Sequence, residues 1–340
     1  MITASIGDML RLAAQQTDTS SRALAFTLAE LMAHRFPARR AILTRGGVPV
    51  LREGHLAEVF AERGIGKTWF LYSLALAASA GGSVLGFEAT TPVRTLIVDG
   101  EMASEDVQSR LYDIADNLGI VHHTANLTVL AADWQLDYLP RLDTLEGQSF
   151  IAEAVDLADL IIIDNRSSLF DPEGEKDATA WQPAQDYLLS LRRRGKAVIL
   201  AHHSNRQGGA RGHSKAEDAM DLIMKLARPE GYVADEGARF QVTFEKARGV
   251  FGPAVAPFEA QLTATGWQSS ATEAAHSPSA IAARLLEAVR LHAEAGEPLK
   301  SATKAIAAAQ VRRAAGLAAW KMLIETGKIH LHPSGGFRVA

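Results

Sequence analysis

The sequence predicts an α/β fold with a mainly parallel, twisted sheet, followed by a small C-terminal domain. Apolar runs of strand length recur at 56–60, 93–99, 159–164 and 197–201, and such runs are typical of strands that are buried in a parallel sheet. Helical patterns separate these runs, as in repeated βαβ units. A glycine-rich segment joins the first run to the helix that follows it.

The composition limits the class of protein. With 340 residues, 47% of them hydrophobic, the chain is long enough for one large and one small domain. The absence of cysteine excludes disulfides, thiolate metal sites and cysteine nucleophiles. No run approaches the ~20 apolar residues of a membrane span, and the N-terminus lacks a signal-peptide pattern. We therefore expect a cytoplasmic protein with no membrane partner.

The N-terminal residues 1–40 carry two amphipathic patterns, at 6–15 and 21–35. We expect a helical arm here, which either covers the protein's own core or packs on a neighbouring subunit. The next run, 41–51, predicts a strand and a turn at Gly46 and Gly47.

Residues 61–68, Ala-Glu-Arg-Gly-Ile-Gly-Lys-Thr, predict a phosphate-binding loop between a strand and a helix. Glycines in such a loop let consecutive N–H groups point at a polyphosphate. Lys67 would then bind the β- and γ-phosphates and Thr68 would bind Mg²⁺. The usual pattern has glycine at the place of Ala61, where a methyl group is tolerable if φ stays negative. The predicted nucleotide-binding residues are Glu62, Arg63, Gly64, Ile65, Gly66, Lys67, Thr68 and Trp69.

Carboxylates follow two of the predicted strands. Glu101 is a candidate for polarising the water that attacks a γ-phosphate, and Asp99 competes with it. Glu101 also suits the N-terminus of the next helix, where a negative charge is stabilising. Asp164 ends the run at 159–164, so it would complete the Mg²⁺ shell together with Thr68.

His202 and His203 follow the neighbouring strand. We assign His203 to contact with the γ-phosphate, whereas a metal site made by both is disfavoured because adjacent strand residues point to opposite faces. The glycine-rich, basic segment 206–215 has three interpretations. Arg206 and Lys215 bind nucleic-acid phosphates, Arg211 reaches a neighbouring subunit's nucleotide, or the segment is a solvated loop.

The segment 231–266 predicts antiparallel structure, with a strand at 240–244 and a hairpin tip that carries Lys246 and Arg248. A cation that enters from the next subunit neutralises transition-state charge, and such fingers raise hydrolysis by ~10³–10⁵ where they have been measured.

The C-terminal residues 280–340, after a predicted linker at 269–279, contain three helical patterns and a terminal hairpin. This order predicts a winged helix, whose third helix would bring Arg312 and Arg313 to nucleic acid, although many such domains bind only protein. Residues 277–340 hold 9 Lys or Arg against 4 Asp or Glu, and the rest hold 26 against 35. This imbalance indicates either an anionic partner or simple solvation.

Taken together, the motifs resemble those of the RecA-like ATPases of the RepA type, the hexameric replicative helicases of plasmids and their relatives in phages and mobile elements. The resemblance covers about residues 40–262. It rests on the segments Ala61 to Thr68, Asp99-Gly-Glu101, Asp164, His202-His203, Arg211-Gly-His-Ser214 and Glu245-Lys-Ala-Arg248.

The resemblance implies a RecA-like P-loop NTPase core at 41–268 that binds ATP and Mg²⁺ between the subunits of a homo-oligomeric ring, expected to be a hexamer. It also implies a role for each site residue. Lys67 and Thr68 would bind the phosphates and Mg²⁺, and Glu101 would be the general base. Asp164 would complete the Mg²⁺ shell, and His203 would sense the γ-phosphate. Arg211, in the pattern R-G-x-S, and Lys246 with Arg248, in the K-x-R-x-G of DnaB-like helicases, are alternative trans-acting cations.

The function that these features predict is an ATP-driven, ring-forming helicase or translocase on single-stranded DNA in the replication of a plasmid or mobile element. One alternative is a nucleotide-controlled DNA-binding regulator or helicase loader with slow ATPase activity, in which the winged helix binds duplex DNA or a protein partner. Another is a recombinase-type filament, which would need helical assembly.

Overall fold

The computed structural model describes residues 25–120, 125–175, 177–204, 215–229, 231–271, 278–309, 311, 313–333 and 335–339. The chain divides into two units, 1–38 and 39–340. In the smaller unit the described residues form helix α1 (Leu28–Ala33), which begins after Thr27 because that side chain caps it together with Glu30. The predicted helix at 21–35 was therefore too long, and the one at 6–15 lies outside the described residues.

The larger unit contains the remaining strands and helices. The strands are β1 (Ala41–Arg45), β2 (Val48–Arg52), β3 (Leu56–Ala61), β4 (Ser83–Val84), β5 (Phe87–Glu88), β6 (Thr95–Asp99), β7 (Leu127–Ala131), β8 (Leu160–Asp164), β9 (Ala197–His203), β10 (Leu222–Ala227), β11 (Arg239–Ala247), β12 (Phe258–Thr263), β13 (Gly266–Ala271), β14 (Ile329–Leu331) and β15 (Phe337–Val339). The α-helices are α2 (Lys67–Ala80), α3 (Ser104–Leu118), α4 (Leu145–Phe150), α5 (Ala152–Leu157), α6 (Arg166–Leu169), α7 (Gln182–Arg193), α8 (Lys215–Asp218), α9 (Pro278–Glu294), α10 (Ala302–Ala308) and α11 (Arg313–Glu325).

Nine of the described strands form one sheet in the order β13-β12-β11-β10-β3-β9-β8-β6-β7. In this order, each strand from β10 through β3, β9, β8 and β6 to β7 is parallel to the next one. The strands β10, β11, β12 and β13 pair antiparallel. The predicted α/β class with a mainly parallel sheet is therefore confirmed, as is the antiparallel segment after residue 231. The edge strand β7 was not predicted; most of its residues are only partly buried, whereas those of β6 and β8, which have the same length, are fully buried.

Both faces of this sheet are covered, which explains the unbroken apolar runs. Alternate residues of β8 belong to different hydrophobic clusters. Ile162 packs in the cluster that contains Leu74 of α2, whereas Ile161 and Ile163 pack in the one that contains Leu188 of α7. A strand with apolar neighbours on both sides has no polar face to show in its sequence. We therefore expect the polar residues that bind a ligand to lie at the carboxyl ends of the parallel strands.

A second, four-stranded sheet has the order β2-β1-β5-β4. Its first hairpin turns at Gly46 and Gly47, which both have positive φ, so the predicted strand and turn at 41–51 are confirmed. The two-residue strands β4 and β5 were not predicted from the sequence.

The C-terminal elements α9, α10, α11, β14 and β15 share a hydrophobic cluster that includes Leu285, Ile306 and Trp320. Three helices followed by a two-stranded hairpin match the predicted order of elements, and the identification as a winged helix stays a prediction. The linker predicted at 269–279 was too long, because β13 pairs with β12 up to Ala271 and α9 begins at Pro278. No described helix is long and apolar enough to cross a membrane.

Candidate functional site

The phosphate-binding loop connects β3 directly to α2. Gly64 has φ +75° and Gly66 has φ +110°, conformations that favour glycine. A Cβ atom on Gly66 would also lie only 2.8 Å from the Cβ of Ala238. Among the described non-glycine residues only Leu85 has a positive φ, so Ala61, the last residue of β3, keeps the negative φ that makes its methyl group tolerable.

A cavity of about 760 Å³ lies over this loop. Ten of the predicted site residues line it, namely Glu62, Arg63, Gly64, Gly66, Lys67, Thr68, Trp69, Glu101, Asp164 and His203. Six lining residues were not predicted, namely Arg110, Asn165, Tyr232, Ala234, Gly237 and Ala238. Ile65 does not line the cavity, because its apolar side chain is buried in the core.

Lys67 begins α2 and its ammonium group reaches across to β9. The Nζ atom donates to the carbonyl oxygen of His202 at 3.2 Å and lies 3.3 Å from Nδ1 of His203. Burial lowers the pKa of Lys67, while the nearby carboxylates of Asp164 and Glu101 oppose that shift. A buried cation beside acidic groups, at a helix N-terminus, forms a site for the oxygens of a polyphosphate.

Asp164 ends β8 and is almost completely buried. Burial raises the pKa of Asp164 to about 6, against the effects of the Lys67 charge and a hydrogen bond with Thr68. Its Oδ2 atom has no hydrogen-bond partner among the described residues. An unused carboxylate oxygen beside a hydroxyl group fits the water shell of Mg²⁺, which is typically held by one or two carboxylates together with substrate phosphates. The described residues contain no group of three His, Asp or Glu side chains that would hold a metal ion by themselves.

Asp99 and Glu101, which compete as candidate bases, have different environments. The carboxylate of Asp99 is buried and accepts hydrogen bonds from the Tyr72 hydroxyl at 2.6 Å and from the backbone N–H groups of Glu101 and Met102 at 2.9 and 2.8 Å. The Glu101 side chain is 47% exposed and lines the cavity. Asp99 thus fixes the turn after β6, and Glu101 is the carboxylate that this turn presents to the cavity.

His202 and His203 lie within β9, which extends beyond the predicted end at residue 201, and they point to opposite faces of the sheet as predicted. The imidazole of His203 lies between Lys67 and Asn165, with Nε2 3.2 Å from the Asn165 amide nitrogen and 3.8 Å from Oε1 of Glu101. The imidazole of His202 meets the buried carboxylate of Glu58 at 2.6 Å. Only His203 is therefore available to a ligand in the cavity.

Aromatic and basic side chains form the wall that sequence reasoning missed. The guanidinium of Arg110 lies 4.8 Å from the ring centroid of Trp69, and the hydroxyl of Tyr232 donates to the carbonyl oxygen of Gly237 at 3.0 Å. Asn165 could have been found, since it is a polar residue directly after a strand that ends in Asp164. The segment 232–238 carries no such signal, because only the antiparallel β10–β11 connection brings it to the phosphate loop.

Lys246 and Arg248 do not line this cavity. β10 runs parallel to β3 with Leu222 beside Ala57, and β11 returns antiparallel with Ala247 beside Leu222. The two cations therefore lie at the opposite end of the strands from the phosphate loop. The four steps along the strand from Ala57 to Ala61 alone span about 13 Å at ~3.3 Å each.

The remaining predicted contact residues are placed as follows. Arg206, Arg211 and Arg312 lie outside the described residues. Lys215 is the first residue of α8, and Arg313, the first residue of α11, is exposed.

Comparison with known proteins identifies the family of the chain. A family model described as an AAA domain matches residues 17–209, which is more than half of the chain. No curated protein matches the chain. Among solved structures, the chain is similar to a KaiC-like protein from the hyperthermophilic archaeon Pyrococcus horikoshii OT3, with 14% identity, a TM-score of 0.47, and coverage of 68% of this chain and 99% of the archaeal one.

Proposed function

Because the chain belongs to the AAA domain family and is a P-loop ATPase, we propose that it hydrolyses ATP in a closed ring of identical subunits, expected to be a hexamer. In this proposal the ring moves on single-stranded DNA as a cytoplasmic helicase or translocase that serves the replication of a plasmid or other mobile element. The observation that carries the proposal is the group formed by Lys67, Asp164, His203 and Glu101 on one cavity.

Each of these side chains suits one part of phosphoryl transfer. Lys67 binds the β- and γ-phosphates, and His203, hydrogen-bonded to it, contacts the γ-phosphate. Thr68 and Asp164 hold Mg²⁺, which supplies charge neutralisation to the phosphates when it is bound. Glu101 accepts a proton from the attacking water, a role that its half-exposed carboxylate at the rim permits.

The wall beside the phosphate loop suits the base of a nucleotide. Trp69 and Tyr232 line the cavity, and stacking on an aromatic side chain is favourable for any base. Arg110 covers the Trp69 ring as a cation on an aromatic face, which orients that ring. We assign ATP as the nucleotide on the basis of the family.

The position of the cations supports a site shared between subunits. Lys246 and Arg248 are too far from their own phosphate loop to act on it, so any action on a nucleotide is in trans. The Nζ atom of Lys246 already donates to the carbonyl oxygen of Glu217 at 2.7 Å, whereas the Arg248 side chain is 56% exposed. Arg248 is therefore the better candidate of the pair, and Arg211 remains the alternative.

The proposal includes contact with DNA. This contact rests on Arg206 and Lys215 after β9, on Arg312 and Arg313 in the C-terminal region, and on the positive balance of that region. Phosphate contacts of this kind make binding strongly dependent on salt. Single-stranded DNA is the proposed partner of the ring.

A second function is favoured by one observation. The third C-terminal helix, α11, exposes Leu317, Met322 and Ile324, and the following hairpin exposes Leu331. Apolar side chains in these positions read bases poorly and suit a protein partner. The alternative is thus a nucleotide-controlled regulator or helicase loader, whose C-terminal region binds protein and whose ATP hydrolysis is slow.

The test is ATP hydrolysis by the wild type and by Lys67→Ala, with and without single-stranded DNA, together with the mass of the assembly. We expect turnover by a closed ring that single strands stimulate at least ~10-fold and that Lys67→Ala abolishes, because the ammonium group is lost from the phosphates. Slow turnover by a small oligomer, indifferent to DNA, would favour the regulator. Equal turnover by the wild type and Lys67→Ala would contradict both functions.

A further inference from the structure

The main partner of Arg248 is one buried residue, Asp221, at the end of the sheet away from the phosphate loop; the Nη2 atom of Arg248 also donates to the carbonyl oxygen of Asp218 at 3.4 Å. Asp221 directly precedes β10, and Arg248 directly follows β11. The backbone N–H of Arg248 donates to the carbonyl oxygen of Asp221 at 2.8 Å, and its guanidinium Nη1 lies 3.3 Å from Oδ1 of the same residue. Asp221 thus fixes both the backbone and the side chain of Arg248.

Asp221 is itself fixed from two directions. Its Oδ2 atom accepts a hydrogen bond from the backbone N–H of Leu56 at 3.0 Å and pairs with the guanidinium of Arg192 on α7. The residue is 7% exposed, and its backbone N–H donates to the carbonyl oxygen of Leu56 at 2.7 Å. A carboxylate tied to β3 and α7 in this way is a rigid anchor, because none of its partners belongs to a free chain end.

Lys246 supports the same turn without taking the exposed position. Its Nζ atom donates to the backbone carbonyls of Glu217 and Asp218, which lie at the C-terminal end of α8. This contact fixes the segment that leads into Asp221. Of the two cations, Arg248 is therefore the one with an anchored backbone and an exposed guanidinium.

We propose that Asp221 is a positioning residue that holds Arg248 in the orientation needed to reach the nucleotide of the neighbouring subunit. The inference rests on the proposed function, since it requires a nucleotide site shared between subunits. A long arginine side chain on an exposed turn samples many rotamers, and an anchored carboxylate selects the few that keep the guanidinium beside Asp221. The benefit is orientation, which supports catalysis without itself touching ATP.

The first test compares Asp221→Asn with the wild type. The amide keeps the size of the side chain and can still accept from Leu56, but it loses the charge that holds Arg248. We expect kcat to fall ~10²-fold, with the KM for ATP and the mass of the assembly unchanged. Asp156→Asn is the matched control, because Asp156 pairs with Arg194 at the surface and takes no part in the site; its kcat should equal that of the wild type.

The decisive test mixes inactive subunits before assembly. Lys67→Ala subunits lack a working phosphate loop but carry an intact Asp221 and Arg248, whereas Asp221→Asn subunits carry an intact loop. In a one-to-one mixture half of the loops are intact and half of their neighbours supply a correctly held arginine, so about a quarter of wild-type turnover should return. A second mixture, Arg248→Ala with Lys67→Ala, should recover to the same extent.

The two mixtures separate this inference from the function on which it rests. If Arg248→Ala with Lys67→Ala fails to recover, the trans role of Arg248 is wrong and this inference fails with it, while Arg211 becomes the candidate cation for the shared site. If that mixture recovers and Asp221→Asn with Lys67→Ala does not, the role of Asp221 alone is wrong. Loss of ATP binding or of cooperative unfolding in Asp221→Asn would assign this residue to the fold and would likewise overturn the inference.

Discussion

Two buried carboxylates lie at opposite ends of the parallel strands, and their surroundings differ. Asp221, at the amino ends, uses both oxygens in bonds with Arg192, Arg248 and the backbone of Leu56. Asp164, at the carboxyl ends, leaves Oδ2 without a hydrogen-bond partner in the described part of the chain, and burial raises its pKa. A buried carboxylate oxygen without a hydrogen-bond partner is costly. Its retention at the phosphate loop indicates that a ligand completes it.

The same contrast separates neighbouring residues. Asp99 is engaged by Tyr72 and two backbone N–H groups, and Glu101, two residues later, is exposed to the cavity. Burial and charge alone therefore do not identify a catalytic carboxylate. What identifies it is capacity for bonding that the protein leaves unused. We call a carboxylate engaged when protein groups already occupy its hydrogen-bonding positions, as in Asp99, and open when they do not, as in Glu101. Substitution of an engaged carboxylate should then change stability, and substitution of an open one should change turnover.

The largest effect that this comparison predicts is on turnover in Glu101→Gln. The amide cannot accept a proton from the attacking water, so kcat should fall ~10²–10⁴-fold. ATP binding and the urea midpoint should stay as in the wild type, because Glu101 makes few contacts with the fold. Single-turnover hydrolysis and equilibrium nucleotide binding measure the two quantities separately.

Asp99→Asn is the matched control for this variant. It should lower the urea midpoint, since Asp99 fixes the turn after β6, and it should affect turnover less than Glu101→Gln does. Wild-type kcat in Glu101→Gln, with a strong loss in Asp99→Asn, would reverse the assignment of the two carboxylates.

The phosphate loop and its partner strands were predictable because their signals are local. Residues 61–68 lie between a strand and a helix, and Asp164 ends an apolar run, so the carboxyl ends of adjacent strands had to bring them together. His203 was found in the same way. Each of these residues is identified by its place relative to one strand end, which the sequence shows.

The rest of the site depends on long-range pairing. Tyr232 and Gly237 reach the cavity because β10 pairs with β3. The two strands are far apart in the sequence, since Leu56 and Asp221, which are in contact, are 165 residues apart. No local sequence pattern predicts that pairing. Arg110 lies on α3 and covers Trp69 only after both helices pack on the same face. The choice of Glu101 over Asp99 required the position of Tyr72, which the sequence does not give.

A smaller effect is expected for Tyr72→Phe, which removes one donor from an engaged carboxylate. Tyr72 is buried in α2, and burial raises the pKa of its phenol, so it donates to Asp99 throughout the physiological range. Its loss leaves a buried carboxylate oxygen unsatisfied, which costs about 1–3 kcal/mol. Urea unfolding should show this loss while kcat falls less than ~10-fold. A larger effect on kcat than on stability would mean that Asp99, and not Glu101, acts on the substrate.

The smallest effect is expected at Asp159, a carboxylate engaged at the protein surface. Burial opposes its ionisation, but hydrogen bonds from Arg94 and Arg40 outweigh burial and lower its pKa below the ordinary value of 3.8. Because the folded pKa is the lower one, the stabilisation is fully present above the unfolded pKa and is lost as the pH falls through the folded pKa. Asp159→Asn should therefore have a slightly lower urea midpoint than the wild type at pH 7, since exposed pairs contribute little.

This difference should shrink as the pH falls below the unfolded pKa and disappear below the folded pKa of Asp159, where both proteins carry an uncharged side chain. Added salt should reduce it at pH 7, because the arginines of the pair are largely exposed and their charges are screened. A difference that persists at low pH would assign the contribution of Asp159 to hydrogen bonding alone.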